Sequence, residues 1–275
     1  MKLLSLAYWV LIGVTAPFFF LGAVVIFAVT ALVDRRRIVL HLYSCAWASF
    51  FVAVNPLWRL RITGRDRLPW RGPAVLVANH ASLVDILVLF GLFRPYKWVS
   101  KRENFRIPFI GWNMTLNGYV PLVRGDRASV VTMLDRCRVL LAQGSPILMF
   151  PEGTRTRDGH LQPFKDGAFE LAHELGLPVI PIAVHGTRRA LPKHGLVLRN
   201  HIDAHVEVLE PLDPAAFAGT AELREAARER IGDALGEPRA PKLVGVPAPP
   251  AAAEPAAETV RNPEWRHDRP YLPSG

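Results

Sequence analysis

"VLVANHASLVD", residues 75–85, sets the fold and raises the chemical question. An apolar run, Pro73 to Ala78, ends abruptly in Asn79 and His80. A small-residue turn follows, and an acid, Asp85, arrives inside the next apolar run. A short apolar run bounded by turn residues reads as a buried strand, and the run beyond it as a helix. The stretch is therefore strand, turn and helix, with an imidazole and a carboxylate at the seam.

The alternation continues on both sides. Short apolar runs predict strands near residues 74–78, 98–100, 119–123, 147–150, 179–183 and 205–209. Amphipathic runs predict helices over 83–93, 127–143, 166–175 and 221–235. Strands alternating with helices indicate an α/β domain with a mainly parallel sheet flanked by helices. Sites in such sheets gather beyond the carboxyl ends of the strands. His80 follows one predicted strand end, and Pro151-Glu152-Gly153 follows another.

Further out, the composition changes. Residues 3–33 contain no charge, which is longer than the ~20 apolar residues needed to cross a bilayer and longer than a signal-peptide core. Asp34-Arg35-Arg36-Arg37 ends this segment. A second apolar segment, 38–58, is broken chiefly by His41 and Asn55-Pro56, and Arg59, Arg61, Arg65 and Arg67 come next. We read residues 1–60 as an N-terminal membrane-embedded helical pair, either two spans or a hairpin in one leaflet. Pro17 and Pro56 supply bends, and Trp9 and Trp47 interfacial anchors. Residues 61–235 form the catalytic domain. Residues 236–275 hold nine of the 24 prolines and read as a disordered tail. Cys45 and Cys137 read as packing residues; two cysteines make no disulfide framework. The net charge of +9 favours an anionic partner: nucleic acid, an anionic membrane face or a phosphorylated substrate.

Two readings of the seam stand side by side. In one, Ser82-Leu83-Val84-Asp85 is a capping box with Ser82 at the N-cap and Asp85 at N3. In the other, His80 sits in the turn and Asp85 in the first helical turn, so that the two meet. The carboxylate then fixes the imidazole tautomer and leaves the second ring nitrogen as a base. A His–Asp pair without a serine nucleophile would deprotonate a substrate hydroxyl for direct acyl transfer. No HExxH and no CxxC is present, so no metal is expected.

A second cluster, "ILMFPEGTRTRDG", spans residues 147–159. Arg155 can bind a phosphate in bidentate fashion. Glu152 would accept hydrogen bonds from substrate hydroxyls or hold the turn in shape. Lys165 is a further cation nearby. Arg124, at the end of "LNGYVPLVRGD", is a second phosphate ligand or a surface arginine. Pro181 interrupts an apolar strand and is expected to shape an edge of the site.

Together these residues resemble the glycerolipid acyltransferases, closest to the lysophosphatidate acyltransferases. "NHASLVD" looks like the family's Asn-His-x-x-x-x-Asp block, which implies His80 as general base and Asp85 as its orienter. "GYVPLVRGD" is similar to the second block and implies that Arg124 binds phosphate. "FPEGTRT" matches the third block and implies Glu152, Gly153, Thr154 and Arg155 at the acceptor phosphate and glycerol. "VIPIAV" resembles the fourth; Pro181, with Asn79 and Ser82, is expected to be structural or to line the acyl pocket. "KRENFRIPFIGW", residues 101–112, has the family's look and is expected to border the acyl-donor site.

The resemblance implies acyl transfer to lysophosphatidate from an acyl thioester, on coenzyme A or acyl carrier protein, with no cofactor. Membrane lipid is the expected partner and nucleic acid is not. The expected location is a membrane, with the catalytic domain on the cytoplasmic face of a bacterial inner membrane. The alternatives are another lysolipid acceptor such as lyso-ornithine lipid, a membrane-anchored thioesterase in which His80 activates water, and a non-catalytic lipid-binding module.

Overall fold

A computed structural model describes residues 2–55, 58–156, 160–188, 190–191, 197–198 and 201–237. By compactness the chain divides into residues 1–239 and 240–275, and every described residue lies in the first unit. Pro56, Arg157 and the tail beyond Glu237 lie outside the described residues.

The opening stretch forms strand β2 (Val75–Ala78) and helix α3 (Val84–Phe90). All four strand residues are buried, because β2 pairs in parallel with a neighbour on each side. The other strands are β1 (Trp58–Thr63), β3 (Lys97–Lys101), β4 (Val120–Leu122), β5 (Ile147–Met149), β6 (Val179–His185) and β7 (Ile202–Val208). They form one seven-stranded sheet in the order β1-β7-β6-β2-β5-β3-β4. Only β6 and β7 pair antiparallel, so β7 and β1 run against the other five.

Alternation along β2 sends side chains to two cores. Leu76 and Ala78 pack with Val88 and Leu89 of α3 and with Val52 of α2 (Ile38–Ala53). Val75 and Val77 pack with Cys137, Phe169 and Ile231. Those three belong to α5 (Arg127–Ala142), α6 (Gly167–Leu175) and α7 (Thr220–Leu235). The expected helices are all present, with ends shifted by up to three residues. The expected strands are present with ends shifted by up to three residues. Helix α4 (Ile110–Leu116) and strand β1 were not anticipated. Trp58-Arg59-Leu60-Arg61-Ile62-Thr63 alternates apolar and polar, the pattern of a half-exposed strand, but its arginines had been grouped with the basic run after the membrane segment.

Pro181 lies in an interior strand rather than an edge strand, the commoner place for proline in a sheet. Proline is tolerated there because the β6–β7 ladder is interrupted beside it. Val179 bridges Leu212 and Ile182 pairs with Val208, so three residues of the returning chain oppose two of β6. That is a bulge, the other place where a sheet accepts proline.

The two N-terminal helices behave differently. Helix α1 (Lys2–Thr30) exposes Leu6, Val10, Val14, Phe18, Leu21 and Val25, an apolar stripe at helical spacing. It is long and apolar enough to cross a membrane. Helix α2 lies on the domain, with Leu40, His41, Ser44 and Phe51 buried. His41 fastens it there, through Nδ1 to the Tyr119 hydroxyl at 2.7 Å and Nε2 to the Arg94 carbonyl at 3.0 Å. Trp47 is buried and stacks on Phe19 at 5.3 Å, so it is a packing residue of the α1–α2 pair rather than an interfacial anchor. Arg65 and Arg67, of the basic run after the second apolar segment, are bonded within the domain, to the carbonyl of Gly91 and to Val208 and Glu210. Cys45 and Cys137 are buried free thiols, as expected.

Candidate active site

Strands β2 and β5 are neighbours, so the turns beyond their carboxyl ends are brought together. His80 lies two residues beyond β2 and Glu152 three beyond β5. The backbone between β2 and α3 places His80 opposite the first turn of the helix. Its Nδ1 stands 2.8 Å from Asp85 Oδ2. The same oxygen accepts the backbone N–H of Ala81 at 2.7 Å and of Ser82 at 2.8 Å. Asp85 is fully buried, and its Oδ1 has no hydrogen-bond partner among the described residues. The two readings of the seam are therefore both realised. Asp85 closes the helix start in the manner of a capping box, and it also holds the imidazole.

Ser82 is fully buried, and its hydroxyl accepts the Val84 N–H at 3.3 Å. Asn79 extends the β2–β6 ladder with its side chain, donating to the Val184 carbonyl at 3.0 Å and accepting the Val184 N–H at 2.8 Å. Both side chains are bonded to the backbone. They fix the backbone on either side of His80.

The β5 turn completes the hold on His80. Phe150 stacks on the imidazole, with centroids 4.0 Å apart and an interplanar angle of 13°. Glu152 Oε1 accepts the His80 N–H at 2.7 Å, its Oε2 accepts the Gln162 N–H at 3.0 Å, and the His80 carbonyl accepts the Thr156 N–H at 3.0 Å. Glu152 is 5% exposed and turned inward, so it holds the turn in shape rather than facing an open side where a glycerol would sit. Burial raises its carboxyl to about 7 despite those two hydrogen bonds, and Asp85 adds to the rise. His80 is thus gripped at its N–H, its carbonyl, one ring face and Nδ1. Its Nε2 takes no hydrogen bond among the described residues.

Gly153 occupies the left-handed region at φ +70°, and a Cβ there would lie 2.9 Å from Lys165 Cε. Glycine is required twice over, for the turn and for the lysine stem beside it. The same turn carries exposed Thr154 and half-buried Arg155. Arg124 follows β4 in a turn whose Val123 N–H is held by the Ser129 hydroxyl at 2.8 Å. Burial keeps the Arg124 guanidinium below its usual value. Glu103 opposes that shift and Arg155 adds to it, so the two arginines are near enough for their charges to interact. The stacking partner Phe150 was missed from sequence, where it reads only as the last residue of an apolar run. The 101–112 segment forms a short 3₁₀ turn and α4. It borders a groove of about 490 Å³ whose lining includes Arg37, Arg102, Arg106 and Arg136.

Residues 59–185 match the Acyltransferase family model. A 1-acyl-sn-glycerol-3-phosphate acyltransferase of Chlamydomonas reinhardtii is 39% identical over 244 residues, 88% of this chain and 68% of that protein. A chloroplastic 1-acyl-sn-glycerol-3-phosphate acyltransferase of Brassica napus is 40% identical over 207 residues, 74% of this chain; the chain spans 58% of its length. The crystal structure of the 1-acyl-sn-glycerophosphate acyltransferase of Thermotoga maritima superposes with a TM-score of 0.67 at 26% identity, covering 84% of this chain and 93% of that one. Similar proteins thus include a chloroplast enzyme, and a bacterial inner membrane is not singled out.

Proposed function

Because this chain belongs to the glycerolipid acyltransferase family, we propose that it acylates the free hydroxyl of lysophosphatidate, giving phosphatidate, with an acyl thioester as donor. The observation that carries the mechanism is the buried His80–Asp85 pair, 2.8 Å apart, with Nε2 unengaged. His80 Nε2 takes the proton from the acceptor hydroxyl as that oxygen attacks the thioester carbonyl. Asp85 stabilises the imidazolium that forms. The tetrahedral adduct collapses, the C–S bond breaks, and the departing thiolate takes the proton from His80, which returns the imidazole to its neutral form. Ester and free thiol are the products, in equal amounts.

Arg155, assisted by Arg124, binds the acceptor phosphate. Glu152 acts by fixing the backbone of His80. The apolar stripe of α1 holds the enzyme in the membrane surface where its acceptor resides. The relatives' names support lysophosphatidate as the acceptor. The test is an assay of the purified protein in detergent with lysophosphatidate and acyl-CoA, reading phosphatidate and free thiol together. Equal amounts of both support the reading. Thiol released at the same rate without acceptor would make the protein a thioesterase, and acylation of a phosphate-free lysolipid in preference would reject the phosphate role of Arg155.

A further inference from the structure

The antiparallel β6–β7 pair carries a cluster the acyl-transfer chemistry does not use. His185 and His205 are directly opposed in the register, and Glu207 lies two residues beyond His205, on the same face. Directly opposed and diagonal neighbours on one sheet face are within reach of each other's side chains. The imidazole centroids are 5.2 Å apart, and His185 Nε2 lies 3.8 Å from Glu207 Oε2. One donor atom from each of the three falls within 4.8 Å of the others.

We propose that His185, His205 and Glu207 form a binding site for a divalent transition-metal ion such as Zn²⁺, separate from the His80–Asp85 pair. Donors on a tetrahedral ion at ~2.1 Å stand roughly 3.4 Å apart, so contraction by about an ångström closes the set. The independent observation is at His185. Its Nε2 is buried and makes no hydrogen bond, and the Glu207 oxygen nearest it is too far for one. Two groups that face each other just beyond hydrogen-bond range are suited to sharing an ion.

The surroundings fit a site of this kind. The Thr63 hydroxyl holds His205 Nε2 at 2.9 Å, an outer contact of the sort that orients ligating imidazoles. All three residues are half-exposed, so an ion has access from solvent. Gly186, at φ +77°, ends β6 so close to β7 that a Cβ would run into the Asp203 carbonyl, which makes the platform rigid. Arg61, opposite His205 on β1, contributes a positive charge and limits affinity. Two imidazoles and one carboxylate select borderline ions over Mg²⁺ or Ca²⁺.

The experiment is calorimetric titration of the full, untagged protein with Zn²⁺, alongside Co²⁺ titration read by visible absorption. The expected result is one site per chain of micromolar or tighter affinity and a Co²⁺ spectrum of nitrogen and oxygen ligation. Affinity should fall at least ~10-fold in His185→Ala and in His205→Ala, with no change in His160→Ala. Zn²⁺, and not Mg²⁺, should raise the melting temperature of the wild type. Absence of a Zn²⁺ site in the wild type, or a site that survives in both His185→Ala and His205→Ala, overturns the proposal. The Co²⁺ spectrum of the wild type decides the matter even where a variant fails to fold.

Discussion

Asp85→Asn tests the centre of the argument, because the structure gives Asp85 two duties through one oxygen. In the variant, the amide oxygen can take the place of Oδ2 and keep the N–H groups of Ala81 and Ser82. The amide NH₂ then occupies the position of Oδ1, which has no partner among the described residues and lies in a fully buried environment. A buried unsatisfied donor costs about 1–3 kcal/mol. Measured against a typical total of ~5–15 kcal/mol, that leaves the protein folded at assay temperature. The chemical effect is of another order. Without the carboxylate charge, the imidazolium formed during proton transfer loses its stabilising partner. Loss of an orienting carboxylate costs up to ~10⁴ in turnover in the serine-protease precedent, and general-base catalysis as a whole is worth ~10²–10⁴. The expected outcome is a protein that melts somewhat earlier, still binds lysolipid, and turns over at least ~10²-fold more slowly at saturating donor and acceptor. His80→Ala should be at least as impaired, and the double variant scarcely worse than His80→Ala, since the two side chains act as one unit. Near-normal turnover in Asp85→Asn, or losses that multiply in the double variant, would refute the pairing as a catalytic device and leave Asp85 as a cap alone.

Arg155→Ala should raise KM for the lysolipid much more than KM for the donor, and Arg124→Ala should do the same to a smaller degree; equal rises for both substrates would reject the phosphate contact. Glu152 has a folded-state pKa of about 7 against an ordinary value of 4.5, so the native state holds its proton more tightly than the unfolded chain. Its contribution to stability is therefore present below about pH 4.5 and is lost as pH rises to about 7, by about 3 kcal/mol in all. Unfolding measured across that window should show a weaker decline with pH in Glu152→Gln than in wild type, and parallel curves would show that the buried acid is not the source. Exhaustive chelation should leave turnover intact, because the proposed acyl transfer needs only His80 and Asp85; activity lost to chelator and restored by one divalent ion would overturn the base assignment.

Much of this was legible because the pattern is local. A buried strand, a small-residue turn and an acid in the first helical turn let His80 meet Asp85 in one of the two readings of the seam. Helices α3, α5, α6 and α7 followed from apolar and amphipathic spacing, and the sheet direction from alternation of strands with helices. What was not legible depends on which strands become neighbours. β2 and β5 are separated by about 70 residues, and nothing in either strand names the other as its partner. The grip of Phe150 and Glu152 on His80 exists only because those strands are adjacent, so the sequence left Glu152 between contacting substrate and holding the turn. Strand β1 shows the opposite failure. Its period-two signal was present, but four arginines over nine residues were read for their charge before their spacing. The N-terminal segments show a third case: hydrophobicity reports burial without saying in what. Helix α1 exposes its stripe, whereas α2, nearly as apolar, buries its own face on the domain through His41.

The functional division between the two turns follows from their burial. The β2 turn is nearly sealed: Asn79, His80, Ser82, Asp85 and Glu152 all lie below one-tenth exposure. Polar groups that deep are tolerable only when bonded, and each of these five is bonded by at least one backbone group or side chain. The arrangement leaves one unengaged nitrogen, His80 Nε2, on a ring that cannot turn, since Phe150 covers one face and Asp85 holds Nδ1. The β5 and β4 turns, by contrast, leave their cations at the surface or half-exposed. A base gains from a fixed direction, and fixed direction requires burial. A site for the phosphate of a membrane lipid must stay open to the side from which the lipid arrives. In the proposed function one sheet meets both demands, with the base after its central strand, β2, and the second arginine after β4, at the edge.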